Sequence, residues 1–196
     1  MAREYELKYR ADQKALAAIA DKYEGFMPIT MNTTYYDTPA GDLSRRRWTL
    51  RRRLENGTSV CAVKVPQSDG SRGEWELEAQ DLKTALPELV EMGAPEALLT
   101  LAEGGLKEVC AARFLRRAAT LHLSGCILEL ALDQGVLLGG GQEEELCEVE
   151  VELKDGSEIV TVAFAEGLCK EFGLTPEPRS KLARAMALAQ GANAEA

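Results

Sequence analysis

Alternating apolar and polar positions run along most of the chain and predict β-strands. Residues 3–10 place Tyr5, Leu7 and Tyr9 on one face of a strand and charged residues on the other, because successive side chains of a strand point to opposite faces. An Asn56-Gly57 pair predicts a tight hairpin turn between two of the strands. The predicted strands cover residues 3–10, 29–36, 48–55, 59–65, 73–79, 107–123, 126–132 and 145–154.

Helical spacing of apolar residues appears between these strands and near the C-terminus. Asp12 is a predicted N-cap, and Gly173 is a predicted C-cap. Residues 82–103 are expected to form two short helices, interrupted at Pro87 and at Gly93. The predicted helices cover residues 12–22, 82–103, 159–172 and 180–190. This pattern predicts an α+β fold, with one domain over residues 1–190 and a flexible end at 191–196.

The composition is typical of a folded domain that carries excess negative charge. Of the 196 residues, 45% are hydrophobic, and 23 Lys and Arg against 32 Asp and Glu give a net charge of −9. An acidic protein of this kind is poorly suited to nonspecific nucleic-acid binding. A polyanion would have to meet locally clustered cations, which favours a small phosphorylated ligand.

The five cysteines are widely spaced and form no metal-binding motif. Such spacing is typical of reduced thiols, so we expect a cytoplasmic protein. The N-terminal residues do not resemble a signal peptide, and no segment approaches the ~20 apolar residues of a membrane span. We therefore expect neither a membrane nor a nucleic acid as a partner.

Charges of one sign repeat along two of the predicted strands. Glu148, Glu150 and Glu152 recur at two-residue spacing, and so do Arg51 and Arg53. Like charges on one face repel unless a counter-ion or a ligand compensates them. Two arrangements remain open: an open sheet with a solvated charged face, or a closed barrel that turns the charges inward.

An inward charged face would supply the groups that phosphoryl transfer requires. Carboxylates are preferred ligands of Mg²⁺ and Mn²⁺, while Arg and Lys bind phosphate oxygens. Together they neutralise and align a phosphate chain for attack by water. The alternative is a noncatalytic polyphosphate-binding module, for which the metal ligands would be dispensable.

Short motifs follow one another along the chain in an order that resembles a known family. Glu4-x-Glu6-x-Lys8 is an ExExK motif. The later motifs are Tyr35-Tyr36-Asp37-Thr38-Pro39, Leu50-Arg51-Arg52-Arg53, Lys64, Arg72-x-Glu74-x-Glu76, Arg116, Glu129 with Asp133, Glu148-x-Glu150 and Ser180-Lys181-Leu182. This order resembles that of CYTH domains, the triphosphate tunnel metalloenzymes, over residues 3 to about 190. The resemblance implies an eight-stranded, mainly antiparallel closed β-barrel, or tunnel, with flanking helices.

The resemblance also implies roles for individual residues. The implied ligands of Mg²⁺ or Mn²⁺ are Glu4, Glu6, Glu129, Asp133, Glu148 and Glu150. The implied ligands of the triphosphate are Lys8, Arg51, Arg53, Lys64, Arg72, Arg116 and Lys181. The implied catalytic set is Glu4, Glu6 and Lys8, in which Glu4 or Glu6 orients the attacking water. Arg52 falls on the opposite face by parity, and Asp37 is expected to be a turn residue.

Likeness to bacterial members of this family implies metal-dependent hydrolysis of inorganic triphosphate (tripolyphosphate). The alternatives within the family are a thiamine triphosphatase and a class IV-type adenylate cyclase. Both would have to recognise an organic group, whereas Trp48 and Trp75 fall by parity on the apolar face. Some bacterial members also carry a CHAD domain, for which this chain has no room, so it is either a stand-alone form or part of a longer protein.

Overall fold

The computed structural model describes residues 5–67, 72–123 and 125–194, and it confirms the predicted α+β class. The strands are β1 (Tyr5–Arg10), β2 (Met27–Asp37), β3 (Thr49–Glu55), β4 (Thr58–Pro66), β5 (Arg72–Glu78), β6 (Lys107–Leu123), β7 (Cys126–Gly139), β8 (Gln142–Asp155) and β9 (Thr175–Pro176). The helices are α1 (Gln13–Lys22), α2 (Asp42–Arg45), α3 (Leu82–Glu91), α4 (Ala97–Ala102), α5 (Glu158–Phe172) and α6 (Lys181–Ala194). Glu4 lies outside the described residues.

These strands form one antiparallel sheet in the order β5-β4-β3-β2-β6-β7-β8-β1-β9. The prediction of a closed eight-stranded barrel is wrong, because the sheet has nine strands and stays open. Within the described ranges, no ladder joins β5 to β1 or to β9. The sheet is nevertheless strongly curled, since side chains from both β1 and β5 line one cavity.

The edge of β1 explains why the sheet does not close. β9 pairs with the end of β1, where Tyr9 lies opposite Pro176. The amide of Glu177 then donates to the carbonyl of Lys8 at 2.9 Å. This segment takes up the part of the β1 edge from Lys8 to Arg10, which leaves less of that edge for pairing with β5. Because Pro176 has no N–H to extend the ladder, β9 ends the sheet on this side.

Helices cover the convex face of the sheet over two separate apolar cores. The first core packs α1 and α5 against β1, β7 and β8 and contains Leu16, Ile19 and Leu168. The second packs α2, α3 and α4 against β3, β4 and β5 and contains Leu50 and Leu89. The strands supply alternate apolar residues to these cores, so the intervening charged side chains face the concave side.

Helix α6 lies on the concave side, against β6, β7 and β8. Its Ala185 joins a third apolar core with Phe114 and Leu137. Gly139 of β7 allows this approach, because a Cβ at that position would lie 2.1 Å from the carbonyl oxygen of Ala185. The first turn of α6, which begins at Lys181, is thereby held beside the charged face of the sheet.

Several local predictions can be compared with the structure. Asp12 caps α1, as predicted, by accepting a hydrogen bond from the amide of Ala15 at 2.7 Å. The predicted interruption at Pro87 is wrong, because α3 continues through it. Burial of the apolar face of α3 offsets the hydrogen bond that proline removes. The chain does turn at Gly93, where φ is 107°. No helix in the described part of the chain is long and apolar enough to cross a membrane.

The turn after β2 depends on the buried carboxylate of Asp37. It accepts hydrogen bonds from the amides of Thr38 (2.7 Å), Leu43 (2.9 Å) and Ser44 (3.1 Å). These bonds fix the short helix α2, which was not predicted from the sequence. Asp37 is therefore a turn residue, as expected, and its oxygens are committed to backbone amides.

Candidate anion and metal site

A cavity of about 960 Å³ lies on the concave side of the sheet. Strands β1 to β8 and the start of α6 contribute its lining. The charged residues that line it are Glu6, Lys8, Arg51, Arg53, Glu55, Lys64, Arg72, Glu74, Glu76, Arg116, Glu129, Glu150, Glu152, Lys154 and Lys181. Many of these residues were expected on one face from the parity of the strand pattern, whereas Glu55 and Lys154 were not.

Four cations and three glutamates line the part of the cavity formed by β3, β4 and β5: Arg51, Arg53, Lys64 and Arg72 with Glu55, Glu74 and Glu76. Arg51 and Lys64 approach opposite oxygens of Glu74, each at 3.0 Å. Arg72 reaches across from β5 and donates to the carbonyl of Arg47 and the hydroxyl of Thr49, both at 3.2 Å. Neighbouring strands therefore hold these cations in one group with their charged ends toward the cavity.

Arg53 is the cation of this wall with the most unfavourable surroundings. Its side chain is largely buried and forms an ion pair with Glu55. Burial and the neighbouring charge of Arg51 lower the pKa of Arg53. Its Nε is also buried without a hydrogen-bond partner among the described residues. A bound anion would compensate both the repulsion and the unsatisfied donor.

Three carboxylates, here called the rim carboxylates, lie side by side on β1, β8 and β7. Glu6 is opposite Glu152 across one strand pair, and Glu129 is opposite Glu152 across the next. Their side chains are 23–28% exposed. Lys154 approaches Glu152 at 2.7 Å and Glu129 at 3.8 Å, but it is itself 41% exposed. Such exposed pairs are worth only about 0–1 kcal/mol, so these oxygens can exchange partners readily.

Three more carboxylates, here called the inner carboxylates, lie deeper on β7 and β8. They are Asp133, Glu148 and Glu150, and one oxygen of each lies within 4.8 Å of the others. Asp133 and Glu148 are fully buried, and Glu150 is nearly so. The spacing and the chemistry of these oxygens would suit a cation.

The inner carboxylates are bonded to three cationic side chains of the protein. Lys181 Nζ lies 2.9 Å from Asp133, 2.5 Å from Glu148 and 2.6 Å from Glu150. Arg116 donates to both oxygens of Asp133, at 2.8 and 2.7 Å, and to Glu150. Arg184 of α6 donates to the second oxygen of Glu148. Three negative and three positive side chains thus balance one another.

The electrostatics of this group stabilise its charged forms. Burial raises the pKa of Glu150, but the charges of Lys181 and Arg116 outweigh burial, so the pKa is lowered. Burial lowers the pKa of Lys181, but Glu150, Asp133 and Glu148 raise it well above its usual range. The pKa of Arg116 is raised in the same way, because Glu150 and Asp133 outweigh burial. Removing any member would leave a buried partner charge uncompensated.

The structure separates the predicted site residues into groups. The predicted phosphate ligands Lys8, Arg51, Arg53, Lys64 and Arg72 line the cavity, as do Arg116 and Lys181 beside the inner carboxylates. The predicted metal ligands divide into Glu6 and Glu129 at the rim and Asp133, Glu148 and Glu150 inside. Glu4 has no described position. Arg52 points away from the cavity and donates to Ser59 Oγ, while Trp48 and Trp75 pack in the second core.

Arg184 was missed by reasoning from the sequence. It is almost fully buried and joins Glu148 to Glu144, which accepts from its Nε at 2.9 Å. Its spacing from Lys181 was an available signal, because residues three apart share a helix face. Lys154 was also missed, although it alternates in phase with the glutamates of β8 and could have been placed beside them.

The class of protein is an α+β fold with a curled antiparallel sheet that groups cations and carboxylates in one cavity. The model of the CYTH domain family matches residues 2–186. The chain therefore belongs to the CYTH domain family.

Individual relatives agree with this assignment. The chain is 26% identical over 160 residues to an inorganic triphosphatase of Haemophilus influenzae; the match covers 80% of this chain and 45% of that protein, so the chain spans about half the length of that relative. A Hippeastrum protein described as a candidate adenylyl cyclase with a dominant triphosphatase activity has a similar fold, with TM-score 0.65 and 22% identity over 93% of this chain and 94% of that one. A Pyrococcus horikoshii protein has TM-score 0.58 and 24% identity over 91% and 96%.

Proposed function

We propose that this protein hydrolyses inorganic triphosphate with the help of a divalent metal ion. The observation that carries the proposal is the pair Arg51 and Arg53, two neighbouring cations turned into a cavity that also contains the rim carboxylates. The buried, unsatisfied Nε of Arg53 supports an anionic ligand on this wall. The family and the Haemophilus influenzae relative support a triphosphate as that ligand.

In this proposal the cations of β1, β3, β4 and β5 bind the phosphate chain. Arginine offers a planar fork of N–H donors to pairs of phosphate oxygens, and lysine adds a compact charge. Arg51, Lys64 and Arg72 would exchange their present partners for phosphate oxygens. Lys8 lines the same cavity and is 3.8 Å from the rim carboxylate Glu6. It would therefore contact a phosphate chain where the chain passes from the cations to the rim carboxylates.

The rim carboxylates fit a metal ion by their chemistry. Three carboxylates on adjacent strands provide oxygen ligands, and their partial exposure leaves room for water in the shell. When bound, Mg²⁺ or Mn²⁺ would neutralise charge that develops on the phosphate oxygens. Glu6, or Glu4 beyond the described residues, would hold the attacking water. The five unpaired cysteines support the expected cytoplasmic location.

Arg51 and Arg52 provide a matched test, because adjacent residues of β3 face opposite sides of the sheet. We expect Arg51→Met to raise KM for tripolyphosphate roughly 10- to 100-fold through the loss of charge-assisted hydrogen bonds. Arg52→Met should change KM by less than about 3-fold. Phosphate release should be measured with Mg²⁺ and with Mn²⁺, using tripolyphosphate, ATP and thiamine triphosphate.

Three results would contradict the proposal in different ways. Equal effects of the two substitutions on KM would show that the cations of β3, β4 and β5 do not bind the substrate. Turnover of ATP or thiamine triphosphate in preference to tripolyphosphate would show that the substrate is an organic triphosphate. Saturable binding of tripolyphosphate that ignores metal and releases no phosphate would identify a noncatalytic binding module instead.

A further inference from the structure

Lys181 occupies the point where the three inner carboxylates converge. Its Nζ contacts one oxygen of Asp133, Glu148 and Glu150 at 2.5–2.9 Å. A lysine ammonium has three N–H donors and no acceptor. Two of these donors hydrogen-bond to Glu148 and Glu150, and Asp133 lies 2.9 Å away as an ion-pair partner, so the ammonium group faces carboxylates on three sides.

The inner carboxylates have the spacing of a metal site but already contain a cation. Their oxygens lie within 4.8 Å of one another, and the ammonium lies among them as a monovalent stand-in. With Arg116 and Arg184, three cations already face these three carboxylates and Glu144, which shares Arg184 with Glu148. A divalent ion added to this cluster would bring uncompensated positive charge into a buried region.

The position of Lys181 is fixed by the packing of α6. Arg184, one turn further along the helix, bonds to Glu148 and Glu144. Ala185 lies directly over Gly139. Lys181 therefore cannot withdraw to solvent as Lys154 can, because its helix is held by an ion pair and by close backbone contact.

We propose that Lys181 is the resident cation of the inner carboxylates and keeps a divalent metal out of them, leaving the rim carboxylates as the metal site. This gives Lys181 a positioning role in place of direct contact with substrate, and it divides the predicted metal ligands into two groups with different partners. It rests on the proposed function only in placing the metal at the rim.

Mn²⁺ binding to the purified chain, followed by electron paramagnetic resonance of the free ion, tests the proposal. Lys181→Met should increase the stoichiometry by a single Mn²⁺ per chain, because it vacates three converging carboxylates. Lys181→Arg should give no increase, because the cation is retained. Lys64→Met is the matched control: Lys64 lines the same cavity and forms an ion pair with Glu74, so no increase is expected. Circular dichroism should confirm that each variant is folded.

A measurement on the unmodified protein decides the question even if Lys181→Met does not fold. The ¹⁵Nζ resonance of Lys181 should be unchanged when Mg²⁺ is added to saturation. A shift of that resonance, or a folded Lys181→Met with unchanged Mn²⁺ stoichiometry, would overturn the inference. Failure of the proposed function would give a different result. In that case Glu152→Gln would leave Mn²⁺ binding intact, both in the unmodified protein and in the Lys181 variants.

Discussion

The inner carboxylates and two of the three rim carboxylates lie on the same two strands, β7 and β8, yet their surroundings differ. Glu150 and Glu152 are two residues apart on one face of β8. Glu150 is bonded to Lys181 and Arg116 in a buried network, whereas Glu152 meets the exposed Lys154. The comparison teaches that burial and the rigidity of the partner, not residue type, separate a structural counter-ion from an available metal ligand.

The largest effect should come from breaking the inner network. We expect Glu148→Gln to lower the free energy of unfolding by about 3–5 kcal/mol, because it leaves buried positive charge on Lys181 and Arg184 without compensation. This corresponds to a loss of roughly 6–20 °C in Tm for a domain of this size. Calorimetry or thermal circular dichroism would measure it.

The control for this variant is Glu143→Gln, an exposed position on the same strand. Its effect should remain within about 0.5 kcal/mol. Equal stability of the two variants would show that the inner network does not hold α6 to the sheet.

The next effect sharpens the rim side of the comparison. We expect Glu152→Gln to lower metal-dependent release of phosphate from tripolyphosphate by roughly 100-fold or more, through loss of a metal ligand. Its Tm should change little, because the side chain is partly exposed. Glu76→Gln, in the same cavity but 49% exposed, should retain most activity. A fall of about 10 °C in the Tm of Glu152→Gln would show that Glu152 is a structural counter-ion like the inner carboxylates.

The smallest effect concerns pH and the buried Glu177, which lies beside the inner network. A hydrogen bond from Arg179 lowers its pKa to about 2; burial opposes this and a hydrogen bond from Arg10 reinforces it. An unfolded glutamate titrates near 4.3. The stabilisation is therefore complete above about pH 5 and is lost as the pH falls toward 2. We expect Glu177→Gln to flatten this part of the Tm–pH curve, on the order of 2 kcal/mol. Identical slopes for both proteins would contradict the assignment.

Local alternation predicted most of the charged residues that line the cavity, but not Lys154 or Glu55. The two-residue period of a strand decides that Arg51 and Glu150 face one side of the sheet and Arg52 the other. The apolar residues that alternate with the charged ones face the opposite side and need helices to bury them. Closure was not predictable in this way. It depends on which segment reaches the edge of β1, and the two residues of β9 that do so carry no periodic signal.

The division of the carboxylates also lay beyond the sequence. Glu129, Asp133, Glu148 and Glu150 all lie on the charged face and were all predicted as metal ligands, whereas Glu152 shares that face but was not among them. Their distinction arises from α6, which brings Lys181 and Arg184 from more than 30 residues away onto β8. Contacts of this range depend on tertiary packing, which periodicity does not encode.

The bare backbone of Gly139 sets the height at which α6 sits above the sheet. A methyl group there would meet the carbonyl oxygen of Ala185 at 2.1 Å and the amide nitrogen of Ala189 at 2.9 Å, so the helix would have to tilt away. Lys181 lies one turn before Ala185 and would be carried with it. A residue outside the charged cavity thus acts as a spacer, and its size determines whether an ammonium group one turn along the same helix face reaches three acids of the sheet.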